Sequence, residues 1–147
     1  YHLMILGGTA RAKEFTRDAY AAIICHELGH LVGGEPRQTI EGSEWASAEG
    51  QADFFAASEC LPKYFNSIGI QDKEEVLKKS EKAGFDFLVL AKSANTIKNE
   101  ELVRVKKKLL KVNSTIINQY PKLQCRYETF RNPNIRANCW YNKKENL

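Results

Sequence analysis

The residues with the clearest chemical potential form one short segment, His26-Glu27-Leu28-Gly29-His30. Two histidines four positions apart lie on one face of a helix, so both imidazoles can point at one metal ion. This is the HExxH pattern, in which the imidazoles bind zinc and the glutamate beside them is a general base. The alternative, three side chains that only decorate a helix surface, is disfavoured because the motif contains two of the three histidines. We therefore predict Zn²⁺ as cofactor, His26 and His30 as its ligands and Glu27 as the catalytic base.

A third protein ligand is needed, and its identity separates the known kinds of HExxH site. A further histidine at position 36 would complete one kind of site, but this position is Pro36. The alternative is a glutamate from a later helix, which gives a His₂Glu site. Glu49 follows His30 after 18 intervening residues and has Asp53 four positions later. On a helix antiparallel to the first, Glu49 would face the metal and Asp53 would accept the Nδ1 hydrogen of His26.

Other carboxylates between the motif and Glu49 are weaker candidates for the third ligand. They are Glu35, Glu41 and Glu44. Neither Glu41 nor Glu44 has an acidic residue four positions later. On an exposed helix face, Glu49 and Asp53 would repel each other and destabilise the helix by about 0.2–0.5 kcal/mol. A cationic partner explains the pair better, which again favours Glu49.

These motifs resemble those of the gluzincin zinc metallopeptidases. The resemblance rests on HELGH at residues 26–30, on EGQAD at residues 49–53, and on an interval between them of the length seen in that clan. The longer phrases CHELGHLVGGEP and WASAEGQADFFAASECL, with CRYETF and CWY near the end, resemble uncharacterised secreted bacterial members. The resemblance covers about residues 1–60. It implies a strand before the HExxH helix that borders the cleft and pairs with an extended substrate.

The elements around these motifs predict a mostly helical α+β fold, a minimal gluzincin-like metallopeptidase domain with a small sheet or edge strand. The apolar run from Tyr1 to Leu6 precedes a Gly-Gly pair, which predicts a strand and a tight turn. Helices are expected over residues 16–31, 43–60, 72–83, 86–97 and 100–120, with Thr16 and Asp72 as caps. The tail from residue 121 is expected to be irregular, with a turn at 132–134.

Length, composition and charge indicate one domain with two unlike parts. The chain has 147 residues, 43% hydrophobic and 27% charged, which is enough apolar material for a core. Residues 1–62 hold 4 basic and 9 acidic side chains (net −5), whereas residues 63–147 hold 18 and 9 (net +9). We interpret 1–62 as the zinc-site core and 63–147 as a helical subdomain with a Cys-containing tail. The lysine-rich face is typical of a solvated helix and not of nucleic-acid binding, and no apolar run approaches the roughly 20 residues of a membrane span.

The resemblance also implies a downstream tyrosine or histidine that hydrogen-bonds the developing oxyanion. No histidine follows His30, so a tyrosine or an arginine has to serve. The candidates in the tail are Arg126, Tyr127, Arg136 and Tyr141, each of which is also a common packing or surface residue. His2 is expected on the edge strand and not on the metal.

The four cysteines, at positions 25, 60, 125 and 139, permit three complete pairings. A Cys125–Cys139 bond would close a short loop and contribute about 3 kcal/mol. In an antiparallel helix pair, Cys60 would lie near residue 19, about two turns from Cys25. Cys25–Cys60 is therefore the least expected pairing, and Cys60 is expected to bond one of the tail cysteines. The pattern favours an oxidising compartment.

The function predicted from these residues is zinc-dependent hydrolysis of a peptide bond, with endopeptidase action as the default. A peptide or protein substrate is expected along the edge strand at residues 1–6. One alternative is a catalytically weak or inactive zinc-bearing module that binds a peptide or a partner. Another is hydrolysis of a cell-wall amide, which the basic half would suit. A secreted or periplasmic bacterial location is expected, with a signal peptide upstream of Tyr1.

Overall fold

The computed structural model describes residues 3–4, 7–12, 15–93, 102 and 109–145. Within these ranges the regular structure is helical and contains neither strand nor sheet, so the expected α+β fold with a small sheet is wrong. Residues 3–4 are irregular, and Gly7–Ala10 forms a short helix, α1, where a turn was expected. A strand needs a neighbour that pairs with its backbone, and the one β-bridge in these ranges joins Arg37 to Ser47. The remainder of the expected strand, and His2 with it, lies outside the described residues.

Helix α2, Arg17–Val32, carries the HExxH segment and has the boundaries that its sequence predicts within one residue. Thr16 has extended backbone angles, and its hydroxyl accepts a hydrogen bond from Ala19 N at 3.0 Å. This bond satisfies one of the backbone donors left free at a helix start, as an N-cap does. The helix ends before Gly33, and an irregular segment follows.

A long helical segment then runs without a break in helical backbone angles through three parts. These are α3 (Glu49–Phe55), a π-helical turn (Ala56–Cys60) and α4 (Leu61–Ser67). The predicted end of a helix at Pro62 is wrong. Pro62 lies in the first turn of α4, and the i→i+5 pattern of the π-helical turn before it accommodates a residue that lacks a backbone N–H.

The predicted start of this helix at residue 43 is also wrong. Residues 43–48 use their backbone groups in contacts with the preceding chain instead of in a helix. Gln38 N donates to Ala46 O at 2.8 Å, and Ser47 N donates to His30 O at 2.9 Å. These tertiary hydrogen bonds outweigh local helix propensity, and α3 consequently begins at Glu49.

Helix α5, Lys73–Ser93, is one helix where two were expected. Its start agrees with the sequence, because Asp72 Oδ1 accepts a hydrogen bond from Glu75 N at 2.8 Å. Gly84 does not interrupt the helix. A Cβ at Gly84 would lie 2.1 Å from Phe130 Cγ, so this glycine allows another helix to pack closely against α5.

That other helix is α6, Leu123–Arg131, in the tail that was expected to be irregular. Residues 109–120, expected as helix, are irregular because their backbone bonds to the end of the chain: Val112 N donates to Asn138 O and Ile116 N to Trp140 O. Residues 94–101 and 103–108, which include parts of two expected helices, lie outside the described residues. The expected turn after α6 is present at residues 133–134.

The main core lies between α2, the π-helical turn, α4, α5 and α6, and so draws on both the acidic and the basic part of the chain. Its largest fully buried apolar side chains are Phe65, Phe130, Leu61, Leu88 and Leu123. A smaller cluster surrounds Trp140. No helix in the described part of the chain is both long and apolar enough to cross a membrane.

Two disulfides are present. Cys125–Cys139 is the short-loop bond that the sequence favours. Cys25–Cys60 is the pairing that was least expected, and the prediction that Cys60 bonds the tail is wrong. The predicted position of Cys60 near residue 19 requires regular α-helix from Asp53 to Cys60. The last five of these residues instead form a π-helical turn, which has a different residue spacing. Two disulfides are typical of proteins from oxidising compartments.

Candidate metal centre

Helices α2 and α3 bring three potential ligands to one point. The rings of His26 and His30, one turn apart on α2, have centroids 4.8 Å apart and an angle of 80° between their planes. Glu49, the first residue of α3, directs its carboxylate toward both rings. Its Oε2 lies 3.3 Å from His26 Nε2, and its Oε1 lies 3.6 Å from His30 Nε2. The three ligand atoms lie within 4.8 Å of one another.

This separation suits a metal ion. Tetrahedral zinc with ligand distances of 2.0–2.1 Å holds its ligand atoms about 3.3–3.4 Å apart, close to the separations from the Glu49 carboxylate to the two rings. Glu49 Oε2 is buried and has no hydrogen-bond partner of acceptable geometry within the described residues. An unsatisfied buried carboxylate oxygen is costly unless a cation or a donor meets it. The group could therefore hold a metal ion.

Close contact between α2 and α3 makes this convergence geometrically feasible. A Cβ on Gly29 would lie only 2.7 Å from Ala52 Cα and from Ala52 O. The glycine inside the HExxH segment therefore allows α3 to approach until Glu49 reaches the histidines. One turn further along this contact, Gln51 Nε2 donates to Gly33 O at 2.7 Å and fixes the end of α2 against α3.

Each imidazole is oriented through its Nδ1 atom. His26 Nδ1 lies 2.8 Å from Asp53 Oδ1, and His30 Nδ1 lies 2.8 Å from Ser47 O. A carbonyl oxygen only accepts hydrogen bonds, so the neutral His30 ring carries its hydrogen on Nδ1 and keeps the Nε2 lone pair for a ligand. Although burial disfavours the imidazolium, the neighbouring Asp53 and Glu49 carboxylates raise the pKa of His26 to about 9. A metal ion would replace that proton at Nε2.

Arg126, from α6, pairs with Asp53 in the interior. Its Nε and Nη2 donate to Asp53 Oδ2 and Oδ1 at 2.6 and 2.9 Å. Both residues are almost inaccessible to solvent, with 2% and 0% exposure. Burial opposes ionisation of Asp53, but Arg126 and then His26 lower the pKa of this carboxyl to about 2. Arg126 was predicted as a possible stabiliser of the transition state. In the structure its guanidinium instead binds and orients the Asp53 carboxylate.

Tyr120 lies beside the metal group, and sequence reasoning missed it. The residue is 61% exposed, and Arg126 Cζ lies 5.2 Å from the centroid of its ring. Its hydroxyl lies close enough to Glu49 to hydrogen-bond the carboxylate. Partial burial and the Glu49 carboxylate, which accepts a hydrogen bond from it, raise the pKa of Tyr120 to about 12, with a further contribution from Glu27. Tyr120 lies in an irregular segment immediately before Pro121, and no motif or spacing in the sequence indicated that it would lie beside Glu49.

The other tail candidates have different partners in the structure. Tyr127 donates from its hydroxyl to Glu81 Oε1 at 2.5 Å. Arg136 donates to Gln51 Oε1 at 2.7 Å, and its Cζ lies 4.9 Å from the ring centroid of Tyr141. These contacts fasten the tail to α5 and α3, and none of them reaches the histidines.

Glu27, the expected base, lies next to an open space. Its side chain and that of His30 border one cavity of about 380 Å³. A substrate in this cavity would contact the potential base and the metal group together, which is the arrangement that water-mediated hydrolysis needs.

The site therefore combines the predicted residues His26, Glu27, His30, Glu49 and Asp53 with Arg126 and Tyr120 from the C-terminal part of the chain. The shared geometry is consistent with several metal-dependent chemistries, so similarity to a characterised protein would narrow the choice. Comparison of the chain with protein-family models, with curated proteins and with solved structures returned no match.

Proposed function

We propose that this protein is a zinc-dependent peptidase, with zinc held by His26, His30 and Glu49. The observation that carries the proposal is that the Nδ1 atom of each imidazole lies 2.8 Å from an oxygen, of Asp53 for His26 and of Ser47 for His30, while both Nε2 atoms face the Glu49 carboxylate. Two imidazole nitrogens and one carboxylate suit zinc better than calcium or magnesium, which prefer oxygen ligands.

The chain's own residues supply the remaining parts of a hydrolytic mechanism. Zinc at such a site polarises a carbonyl group and makes water a better nucleophile near neutral pH. Glu27 accepts the proton of the attacking water and passes it to the leaving amine. Asp53, supported by Arg126, holds the His26 ring in position throughout.

Tyr120 fits the part of oxyanion donor. With its pKa raised to about 12, its hydroxyl stays protonated at neutral pH and can donate a hydrogen bond. Negative charge develops on the carbonyl oxygen as water attacks, and a donor in place beforehand stabilises that charge. A cation on the Glu49 carboxylate would weaken the bond between Tyr120 and Glu49 and release the hydroxyl for the substrate. We also propose a secreted or periplasmic location, which the two disulfides support.

The test combines metal content with proteolysis of a broad peptide library. We expect one zinc per chain in the parent protein and in Glu27→Gln, with cleavage at least about 100-fold slower in Glu27→Gln because the base is removed. Glu74→Gln, which changes an exposed glutamate on α5, is the matched control and is expected to cleave as the parent does. A parent without stoichiometric zinc, or an active Glu27→Gln, would contradict the proposal.

A further inference from the structure

The cavity beside Glu27 and His30 has a mainly apolar wall. Leu28 and Leu31 contribute from α2, and Trp45 and Ala46 contribute from the irregular segment before α3. The uncharged polar lining residues are Gln38 and Ser43. Within the described part of the chain, the ionisable groups in this lining are Glu27 and His30, and both belong to the proposed reaction centre. The cavity thus continues from the metal group into apolar surroundings.

Apolar side chains remain exposed on this side of the molecule. Leu28 is 39% and Trp45 is 47% accessible to solvent, and Val32, one turn beyond Leu28 on α2, is 64% accessible. Leu28 and Trp45 both line the cavity, and exposed apolar side chains that border a cavity are typical of a ligand-binding groove. A binding site for an organic ligand is typically a concave space of about 300–1,000 Å³ with mostly apolar walls and a few polar groups. A cavity of about 380 Å³ lies at the lower end of that range, which suits one large side chain.

We propose that this cavity receives an aromatic or large aliphatic side chain of the peptide, from a residue that flanks the bond held at the metal group. The inference rests on the proposed peptidase function for its choice of ligand. A positively charged side chain is the main rival, because Glu27 could attract it. Burying an ammonium group among Leu28, Leu31 and Trp45 would remove it from water without a second partner, so the apolar occupant is favoured.

The experiment uses acetylated hexapeptides that differ at one central position, which is Phe, Leu, Ala, Lys or Glu. Cleavage by the zinc-loaded parent protein is followed by mass spectrometry, and binding is measured by calorimetry with zinc-loaded Glu27→Gln. We expect the Phe and Leu peptides to exceed the Lys peptide at least about tenfold in both cleavage and affinity, since even one methylene can change selectivity tenfold or more.

Substitutions in the cavity wall distinguish selective binding in this cavity from nonspecific hydrophobic binding elsewhere on the surface. Trp45→Ala is expected to reduce the preference for Phe over Ala by about tenfold, and Trp45→Phe is expected to restore most of it. Leu77→Ala, which truncates a similarly exposed apolar residue on α5 (43% accessible), is the matched control and should leave the preference unchanged. A preference that survives Trp45→Ala would overturn the proposal.

The outcomes for the two proposals are distinguishable. Cleavage with equal rates for Phe and Lys, or with Lys preferred, overturns the pocket and leaves the peptidase function intact. Absence of cleavage, together with selective binding of the Phe peptide that Trp45→Ala abolishes, overturns the peptidase function and supports the pocket as a peptide-binding site. Absence of both cleavage and selective binding overturns both.

Discussion

The candidate metal centre draws on two regions of the chain that position their residues in different ways. The helix pair α2 and α3 supplies the three potential ligands and Glu27, all within residues 17–55. The C-terminal segment, residues 109–145, supplies Tyr120 and Arg126 and contains no ligand. Within the first region, helical spacing relates His26 to His30 and Glu49 to Asp53, whereas the second region reaches the site through tertiary contacts alone. Ligand identity is therefore local in the sequence, and the support of the ligands is not.

The two regions meet at Asp53. One oxygen of this carboxylate lies 2.8 Å from His26 Nδ1, and both oxygens accept hydrogen bonds from Arg126. A carboxylate that accepts an imidazole hydrogen orients the ring and raises its basicity as a ligand. Here an arginine from the second region fixes the carboxylate in turn. Loss of the second region's contacts is therefore expected to weaken the site without removing its potential ligands.

The largest expected effect is on stability, from Asp53→Ala. This change leaves the Arg126 guanidinium, which is 2% exposed, without its carboxylate partner. Removal of one member of a buried ion pair typically costs about 3–5 kcal/mol. We expect a decrease of this size in the free energy of unfolding, measured by urea denaturation of the metal-free protein.

Two further variants show whether the burial of the pair causes that loss. Asp53→Leu combined with Arg126→Met replaces both charges by apolar groups and should recover much of the stability. Glu59→Ala breaks the exposed pair between Glu59 and Lys63, whose atoms are 3.2 Å apart, and should cost less than about 1 kcal/mol. A small effect of Asp53→Ala would mean that the two regions are not coupled through this residue.

The next effect is on catalysis, from Tyr120→Phe. Loss of one oxyanion donor typically lowers kcat by about 10²–10³. Because Tyr120 is not a ligand, zinc content should stay at one per chain and KM should change little. Tyr64→Phe, which removes a hydroxyl that accepts a hydrogen bond from Arg17 at 2.9 Å, is the matched control. Full activity of Tyr120→Phe would show that the Tyr120 hydroxyl does not take part in catalysis, and that the second region only supports the structure of the site.

The same division explains how much of the protein its sequence could predict. The histidine pair and the caps Thr16 and Asp72 were predictable because each depends on residues within one or two turns of helix, and Glu49 was the favoured third potential ligand because Asp53 lies four positions later. The end of the helix after α3 was not, since a π-helical turn carries the chain past Pro62. Arg126 reaches Asp53 across 73 positions, a separation over which no spacing rule operates.

Packing decided several of the remaining elements. Gly84 was expected to separate two helices, but it lies inside α5. The absence of a Cβ at this position leaves room for the Phe130 side chain to pack against the helix. Residues 43–48 have a helical composition and yet bond to the chain that precedes them. The apolar run before α1 had the composition of a strand, but composition alone cannot supply a pairing partner. At Gly84 and at residues 43–48, the error arose where a long-range contact outweighed a local preference.

A smaller effect is expected on metal affinity, from Arg126→Met. The three ligands remain, but Asp53 loses the two hydrogen bonds that hold it against His26. Changes to groups that orient a ligand typically weaken metal binding about 10–100-fold. Competition with a chromogenic zinc chelator would measure this change. Arg131→Met, on the same helix and paired with Glu128 at 3.2 Å, is the matched control and should bind zinc as the parent does.

The smallest expected effect is the acid sensitivity of the metal-free protein. Arg126 is the main cause that holds the pKa of Asp53 at about 2, below its ordinary value of 3.8. A depressed pKa contributes stability that is present above about pH 4 and is lost as pH falls through about 2. A shift of this size corresponds to about 2 kcal/mol. His26 adds no slope in this window, because with a folded pKa of about 9 it is protonated in both states.

Urea unfolding of the metal-free parent and of Arg126→Met, measured between pH 4 and pH 2, would isolate this contribution. In the variant Asp53 lacks the guanidinium that favours its charged form, so its pKa rises and its share of the acid-dependent loss disappears. The difference in stability between the two proteins should therefore narrow as the pH falls. A difference that stays constant would mean that the C-terminal segment supports Asp53 through packing alone, and the coupling between the two regions would then be steric rather than electrostatic.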